Sequence, residues 1–223
     1  MMTMRLGLEA KQRMLLKKGA EASLYLEEWQ GRKVIMKRRL PKAYRLSTLD
    51  ETIRGQRTVH EPQIIHRAKE AGVPTPTIYL VNIANANIIM EFIEGEQVKQ
   101  VLNDLSQANR KSLCLHIGAL IGHLHSHGIV HGDLTTSNMI LTSHGKVFFV
   151  DFGLSERSNE LEARGVDLHL MKRALQSTHY RYAKECFEVV MAGYSEVVGK
   201  DAAEDVLNKI REIERRGRYV SER

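Results

Sequence analysis

The chain of 223 residues has little of several things, and each shortage narrows what it can be. Only 4 prolines and 16 glycines occur, so long disordered linkers are not expected. No apolar run approaches the roughly 18 residues of a membrane span. The opening "MMTMRLGLEAKQRMLLKKG" lacks the continuous apolar core of a secretory signal. There is no internal repeat and no low-complexity tract. The 2 cysteines, Cys114 and Cys186, fall in amphipathic patterns, which predicts buried free thiols in a reducing cytoplasm.

What is present suits a packed soluble protein. Hydrophobic residues make up 43% and charged residues 27%. The length fits one large domain or two small lobes around a cleft. Net charge is +6, concentrated in "KRRLPKAYR" (Lys37 to Arg45) and "RRGRYVSER" (Arg215 to Arg223). Such clusters suit phosphate or nucleic acid, or merely a solvated basic face.

The N-terminal part reads as strands around one long helix. In "ASLYLEEWQGRKVIMKRRL", Leu24, Leu26, Val34 and Met36 alternate with polar positions about a turn at Gly31, which predicts a hairpin. "STLDETIRGQRTVHEPQIIHRAKEAG" reads as a helix, with Ser47 or Thr48 as N-cap and Gly72 as stop. Pro62 either kinks it or marks two segments meeting. "VPTPTIYLVNIANANIIMEFI" predicts two more strands turning near Asn85. After Gly95 the pattern becomes helical, with a break near Ser106, a short hairpin around His144-Gly145, and helices from Val166 onward. The expected lobes are residues 1–94 and 95–223, with a cleft between them.

The chemistry gathers in "HGDLTTSN" and "VDFG". A short hairpin between Asn138 and Asp151 draws these two oxygen ligands together, with Asp133 close by. Mg²⁺ takes a few protein oxygens and keeps other positions for water and phosphate, which suits Asn138 and Asp151. Asp133 then orients or deprotonates a nucleophile. Gly153 allows a sharp backbone turn behind the metal ligand. Lys37, on the second strand of the first hairpin, is suited to neutralise phosphate charge. A buried Lys needs a carboxylate, and Glu61 of the long helix is the expected one.

Taken together, "VIMK", a helix Glu, "HGDLTTSN" and "VDFG" resemble the protein-kinase signatures in order and approximate spacing. The departures are specific. There is no G-x-G-x-x-G, only Gly19 in "KKGAEASLYL". Gly132 stands where the set has Arg, and Thr135 where it has Lys. No A-P-E motif follows, and Pro62 stands beside the helix Glu. The pattern resembles the small atypical kinase subunits of the KEOPS (EKC) complex, through "GAEASLY", "KRRLPKAYR", "AGVPTPTIY", "HGDLTTSNMI", "VDFGLS", "GVDLHLMKRALQSTH" and "RRGRY".

The resemblance implies an α+β, truncated bilobal kinase-like fold with a strand-rich N-lobe, a helical C-lobe and no long activation segment. It implies ATP and Mg²⁺ as cofactors, and kinase or ATPase activity supporting threonylcarbamoylation of tRNA adenosine beside the anticodon. Its implied partners are the threonylcarbamoyl-transferase subunit on the C-lobe, a small accessory subunit on the N-lobe, and tRNA, in the cytoplasm and without a membrane. ATP is then expected at Gly19, Ala20, Glu21, Ala22, Ser23, Lys37, Glu61, and at the backbone of Glu91 and Ile93. His131 supports the catalytic loop. Asp167 either caps a helix or, as preferred, accepts N–H bonds from that loop. Arg38, Arg39, Lys42, Arg45, Arg216, Arg218 and Tyr219 are placed towards tRNA or a partner.

Other readings remain. Aminoglycoside and choline kinases also carry "HGD" loops, but their larger helical insertions have no room here. A kinase-fold scaffold without catalysis is opposed by the intact Lys37, Asp133, Asn138 and Asp151. His116, His123, His125, His127 and His131 suggest a zinc site only superficially, because their spacing straddles a helix end and no Cys accompanies them.

Overall fold

The computed structural model describes residues 13–221, with side chains through Arg216. It divides into two compact units. The first runs up to Pro62 and includes Thr77–Phe92. The second comprises Gln63–Pro76 and the chain from Ile93 onward. Residues 63–76, expected with the strands, therefore count with the helical unit.

The first unit holds an antiparallel sheet of β1 (Met14–Lys18), β2 (Ser23–Trp29), β3 (Arg32–Arg38), β4 (Ile78–Asn82) and β5 (Asn87–Glu91), in the order β1-β2-β3-β5-β4. Trp29 faces Arg32 across a two-residue loop in which Gln30 and Gly31 both have positive φ. That loop matches the right-handed twist of paired strands. Alternation along β3 sends Val34 and Met36 to one face, where they pack with Ile89, Tyr25, Trp29 and Tyr79. The same period of two sends Lys37 to the opposite face, and Arg39 after it.

The helix α1 (Ser47–Glu70) passes through Pro62 without interruption, so one helix rather than two occupies this stretch. Pro62 has no N–H to offer the Thr58 carbonyl one turn back. The helix ends where Gly72 adopts φ +83°: its N–H reaches the Lys69 carbonyl and the Val73 N–H the Ala68 carbonyl. This pair of bonds satisfies carbonyls the helix end would otherwise leave bare.

The second unit contains β6 (Glu96–Gln97), α2 (Val98–Val101), α3 (Gln107–Ser126), β7 (Ile129–Val130), β8 (Met139–Leu141), β9 (Val147–Phe149) and β10 (Glu156–Arg157). The helices α4 (Leu161–Thr178), α5 (Ala183–Val198) and α6 (Lys200–Ser221) follow. Ser106 caps α3 by accepting the Asn109 N–H at 3.3 Å. Its helices α3 and α5 meet at backbone distance. A Cβ at Gly118 would overlap the Val190 carbonyl, and one at Gly193 the Leu115 carbonyl. The helix α4 starts at Leu161, five residues earlier than the expected Val166. Glu160 precedes it without a side-chain cap, so no local signal marks the start. Among the described residues, no helix is long and apolar enough to cross a membrane.

Candidate active site

In the first unit, Lys37 Nζ lies 2.6 Å from Glu61 Oε1, and the lysine is 5% exposed. Pro62 does not disturb this pair. The second oxygen of Glu61 is taken as well: Arg39 Nη2 donates to Oε2 at 2.5 Å. Arg39 is 3% exposed, so it is not available to tRNA, contrary to expectation. It is a strand-end residue on the Lys37 face and is spent on the same carboxylate.

Two more members of the basic cluster are also engaged within this unit. Lys42 Nζ donates to the Ala20 carbonyl. Arg45 pairs with Asp50 at 3.6 Å and approaches Glu21 at 4.0 Å. Arg57, not singled out from the sequence, holds Glu21 at 2.5 Å. Gly19 N–H closes on the Ala22 carbonyl at 2.9 Å and Ser23 is buried, so Gly19 to Ser23 form a tight turn held by basic side chains. Arg38 is exposed at the end of β3. Glu91 has its N–H on the Thr77 carbonyl at 2.8 Å and its carboxylate on the Thr77 N–H at 2.9 Å, which removes that N–H from the groups expected at adenine. Ile93 is buried and belongs to the second unit.

In the second unit, a 3-10 turn, Thr136–Asn138, carries the loop into β8. Asn138 Nδ2 donates to Asp133 twice, to its carbonyl at 2.9 Å and its Oδ2 at 2.8 Å. The Val150 N–H donates to the Asn138 carbonyl at 2.9 Å, which extends the β8–β9 ladder and delivers Asp151 beside Asn138. Asp151 has φ 64°, a left-handed conformation that Asp tolerates better than most residues. The backbone special position is therefore Asp151; Gly153 lies in the turn closed by the Ser155 N–H on the Phe152 carbonyl. Gln97 Nε2 braces the loop from β6 through the Ser137 carbonyl at 2.9 Å.

The loop is fixed from behind by Asp167. Its carboxylate accepts the His131 N–H at 2.8 Å and the Gly132 N–H at 3.0 Å. Asp167 is seventh in α4, so it is no cap, and of the two roles considered only the loop contact is present. Gly132 has φ +78°, and a Cβ there would overlap the Leu154 carbonyl. An Arg at that position has no backbone to stand on. His131 is fully buried against Phe152, with ring centroids 4.6 Å apart, and its Nδ1 accepts the Asp133 N–H at 3.3 Å. Burial pushes its pKa below the usual value, against the pull of Asp167, which keeps the ring neutral.

Two buried histidines escaped sequence reasoning as loop supports. His125 bridges Asp167 Oδ2 at 3.2 Å and the Tyr194 hydroxyl at 3.1 Å. His179 touches Thr136. The clue for His125 was its position at the end of an apolar helix face, but nothing local names its partners. At the C-terminus, Arg216 is an exposed residue paired with Glu162 at 3.1 Å, while the side chains of Arg218 and Tyr219 lie outside the described residues.

Asn138 and Asp151 carry oxygen donors of the kind Mg²⁺ takes, and Asp133 is bonded to the Asn138 amide. With Nδ2 of Asn138 committed to Asp133, Oδ1 is the atom its amide offers a cation. Among the described residues, no group of three or more His, Cys, Asp or Glu is placed to hold a metal ion.

The chain is similar to known proteins over most of its length. The protein kinase domain family matches residues 18–194. The chain is 50% identical to the KEOPS complex subunit Bud32 of Pyrococcus abyssi, over 92% of this chain and 96% of that one. It is 37% identical to the EKC/KEOPS complex subunit bud32 of Dictyostelium discoideum, covering 82% of it. A probable bifunctional tRNA threonylcarbamoyladenosine biosynthesis protein of Methanothermobacter thermautotrophicus is 45% identical, but the chain spans only 36% of its length. Among solved structures, the Rio2 kinase from Chaetomium thermophilum shares the fold at a TM-score of 0.62 and 17% identity, over 92% of this chain and 74% of that one.

Proposed function

Because the chain belongs to the protein kinase domain family and, within it, to the Bud32-type KEOPS subunits, we propose that it consumes ATP in support of tRNA threonylcarbamoylation. The observation that carries the chemistry is the Asn138 amide held on the Asp133 carboxylate, with Asp151 delivered next to it by the β8–β9 ladder. Phosphoryl transfer asks the protein mainly for positioning and charge neutralisation. Lys37, held by Glu61, neutralises the α- and β-phosphates of ATP. Asn138 and Asp151 would hold Mg²⁺, which when bound would offset phosphate charge. Asp133 accepts a hydrogen bond from the attacking hydroxyl and aims it at the γ-phosphorus.

Thr135 places no cation on the γ-phosphate, and Gly132 supplies no Arg to read a phosphorylated segment. Both features favour water, or a serine of the protein itself, as the nucleophile over a docked peptide. The chain then acts chiefly as an ATPase in the cytoplasm. Its transferase partner sits on the helical unit, the small accessory subunit on the strand-rich unit, and tRNA is a further partner.

The test is Mg²⁺-dependent ATP turnover by the purified chain, alone and with the transferase subunit and tRNA. Stimulation by both is expected. Asp133→Ala and Asp151→Ala should each abolish turnover while circular dichroism stays unchanged. Wild-type turnover in either variant sinks the assignment, and phosphorylation of an aminoglycoside instead would redirect it.

A further inference from the structure

The 3-10 turn Thr136–Asn138 is short, and such turns have poorer hydrogen-bond geometry than an α-helix. Its own bond is the Asn138 N–H on the Thr135 carbonyl at 3.0 Å. A turn this small needs outside support if Asn138 is to hold one orientation. Gln97 supplies a bond to its backbone. A second support comes from a distant part of the chain.

His179 terminates α4, where its N–H reaches the Leu175 carbonyl at 2.8 Å, so the helix fixes its backbone. Its ring is 1% exposed and faces two partners at once. Nε2 lies 3.1 Å from the hydroxyl of Thr136, itself 1% exposed. Nδ1 lies 2.9 Å from Oδ1 of Asn103, an exposed residue between α2 and α3. A carbonyl oxygen only accepts, so Nδ1 carries the proton and Nε2 receives the Thr136 O–H. Each of the three side chains thus dictates the next one's proton arrangement. Burial, with Lys99 nearby, lowers the ring's pKa and favours this neutral form.

We propose that His179 is a positioning residue: through Thr136 it clamps the 3-10 turn and so sets the aim of Asn138 and Asp133. Asn103 is the outer end of the clamp. It fixes which ring nitrogen bears the proton, as a second partner does for many functional histidines. The effect on turnover rests on the phosphoryl-transfer reading given above; the clamp itself does not.

Amide hydrogen exchange on the full chain tests the clamp directly. His179→Ala and Thr136→Val should each speed exchange at Asn138 by up to about tenfold, the factor one buried hydrogen bond corresponds to. Exchange in the α3–α5 core should stay as in wild type. Thr136→Ser keeps the hydroxyl and should restore both wild-type exchange and the wild-type Mg²⁺ concentration for half-maximal turnover. Thr136→Val should raise that concentration several-fold. Should His179→Ala fail to fold, the Thr136→Val and Thr136→Ser pair still decides. Unchanged exchange at Asn138 in Thr136→Val, or a Thr136→Ser variant as impaired as Thr136→Val, overturns the proposal. If wild type hydrolyses no ATP, the assigned activity fails while the exchange result still judges the clamp.

Discussion

Replacing Arg39 by Met should cost less stability than replacing Glu61 by Gln, although both break the same contact. Glu61 is 1% exposed and shared between Lys37 and Arg39. Removing one partner of a buried ion pair typically costs about 3–5 kcal/mol, because a buried charge is left behind. Glu61→Gln withdraws a carboxylate from two buried cations at once, so it should lie at the upper end of that range, about 4–5 kcal/mol. Arg39→Met leaves Glu61 still paired with Lys37. It also deletes the buried Arg39 Nη1, which has no hydrogen-bond partner among the described residues. Removing an unsatisfied donor of this kind returns about 1–3 kcal/mol. The net cost of Arg39→Met is therefore at most about 4 kcal/mol and centred at about 2 kcal/mol.

The chain's single tryptophan makes this measurable. Trp29 lies in the same sheet and stacks on Tyr79 with ring centroids 5.9 Å apart, so its fluorescence follows the first unit. With a urea m-value of about 2 kcal/mol/M, Arg39→Met should lower the midpoint by about 1 M and Glu61→Gln by about 2–2.5 M. An Arg39→Met midpoint at or below that of Glu61→Gln refutes the account of Glu61 as the shared anion.

Gly118→Ala should destabilise the second unit by about 1–3 kcal/mol or more, since the new methyl can be admitted only by driving α3 and α5 apart; a melting temperature equal to wild type would contradict this. Tyr194 is buried and burial raises its pKa from 10.0 to about 12. The folded state thus holds the phenol proton more tightly than the unfolded state does. That stability is present in full below pH 10 and is lost as pH rises towards about 12, up to roughly 3 kcal/mol. Urea midpoints of wild type and Tyr194→Phe should therefore converge over this interval, and parallel curves would rule the phenol out as the source.

The strands and the Lys37–Glu61 pair were legible because they follow short-range rules. Period-two alternation marked β2 and β3, and a buried lysine demands a carboxylate. The same alternation could have removed Arg39 from the surface, since it stands two residues from Lys37. The compact run "KRRLPKAYR" hid that signal behind its charge. The start of α4 was missed because Glu160 offers no cap bond and "LEARG" has no apolar period. The loop supports were illegible for a different reason. His125 meets Tyr194 at a separation of 69 residues, and His179 meets Thr136 at 43. Such pairings are decided by packing in three dimensions, and no local pattern announces them.

The seam between α3 and α5 has a mechanical meaning. Where Gly118 and Gly193 bring peptide against peptide, no rotamers remain to rearrange and almost no void remains to squeeze. Hydrostatic pressure acts by eliminating internal voids, so this seam gives it little purchase. This seam ties the helix carrying His125 directly to the helix carrying Tyr194. The carboxylate of Asp167 is anchored to both helices, because His125 on one bonds it and also meets Tyr194 on the other.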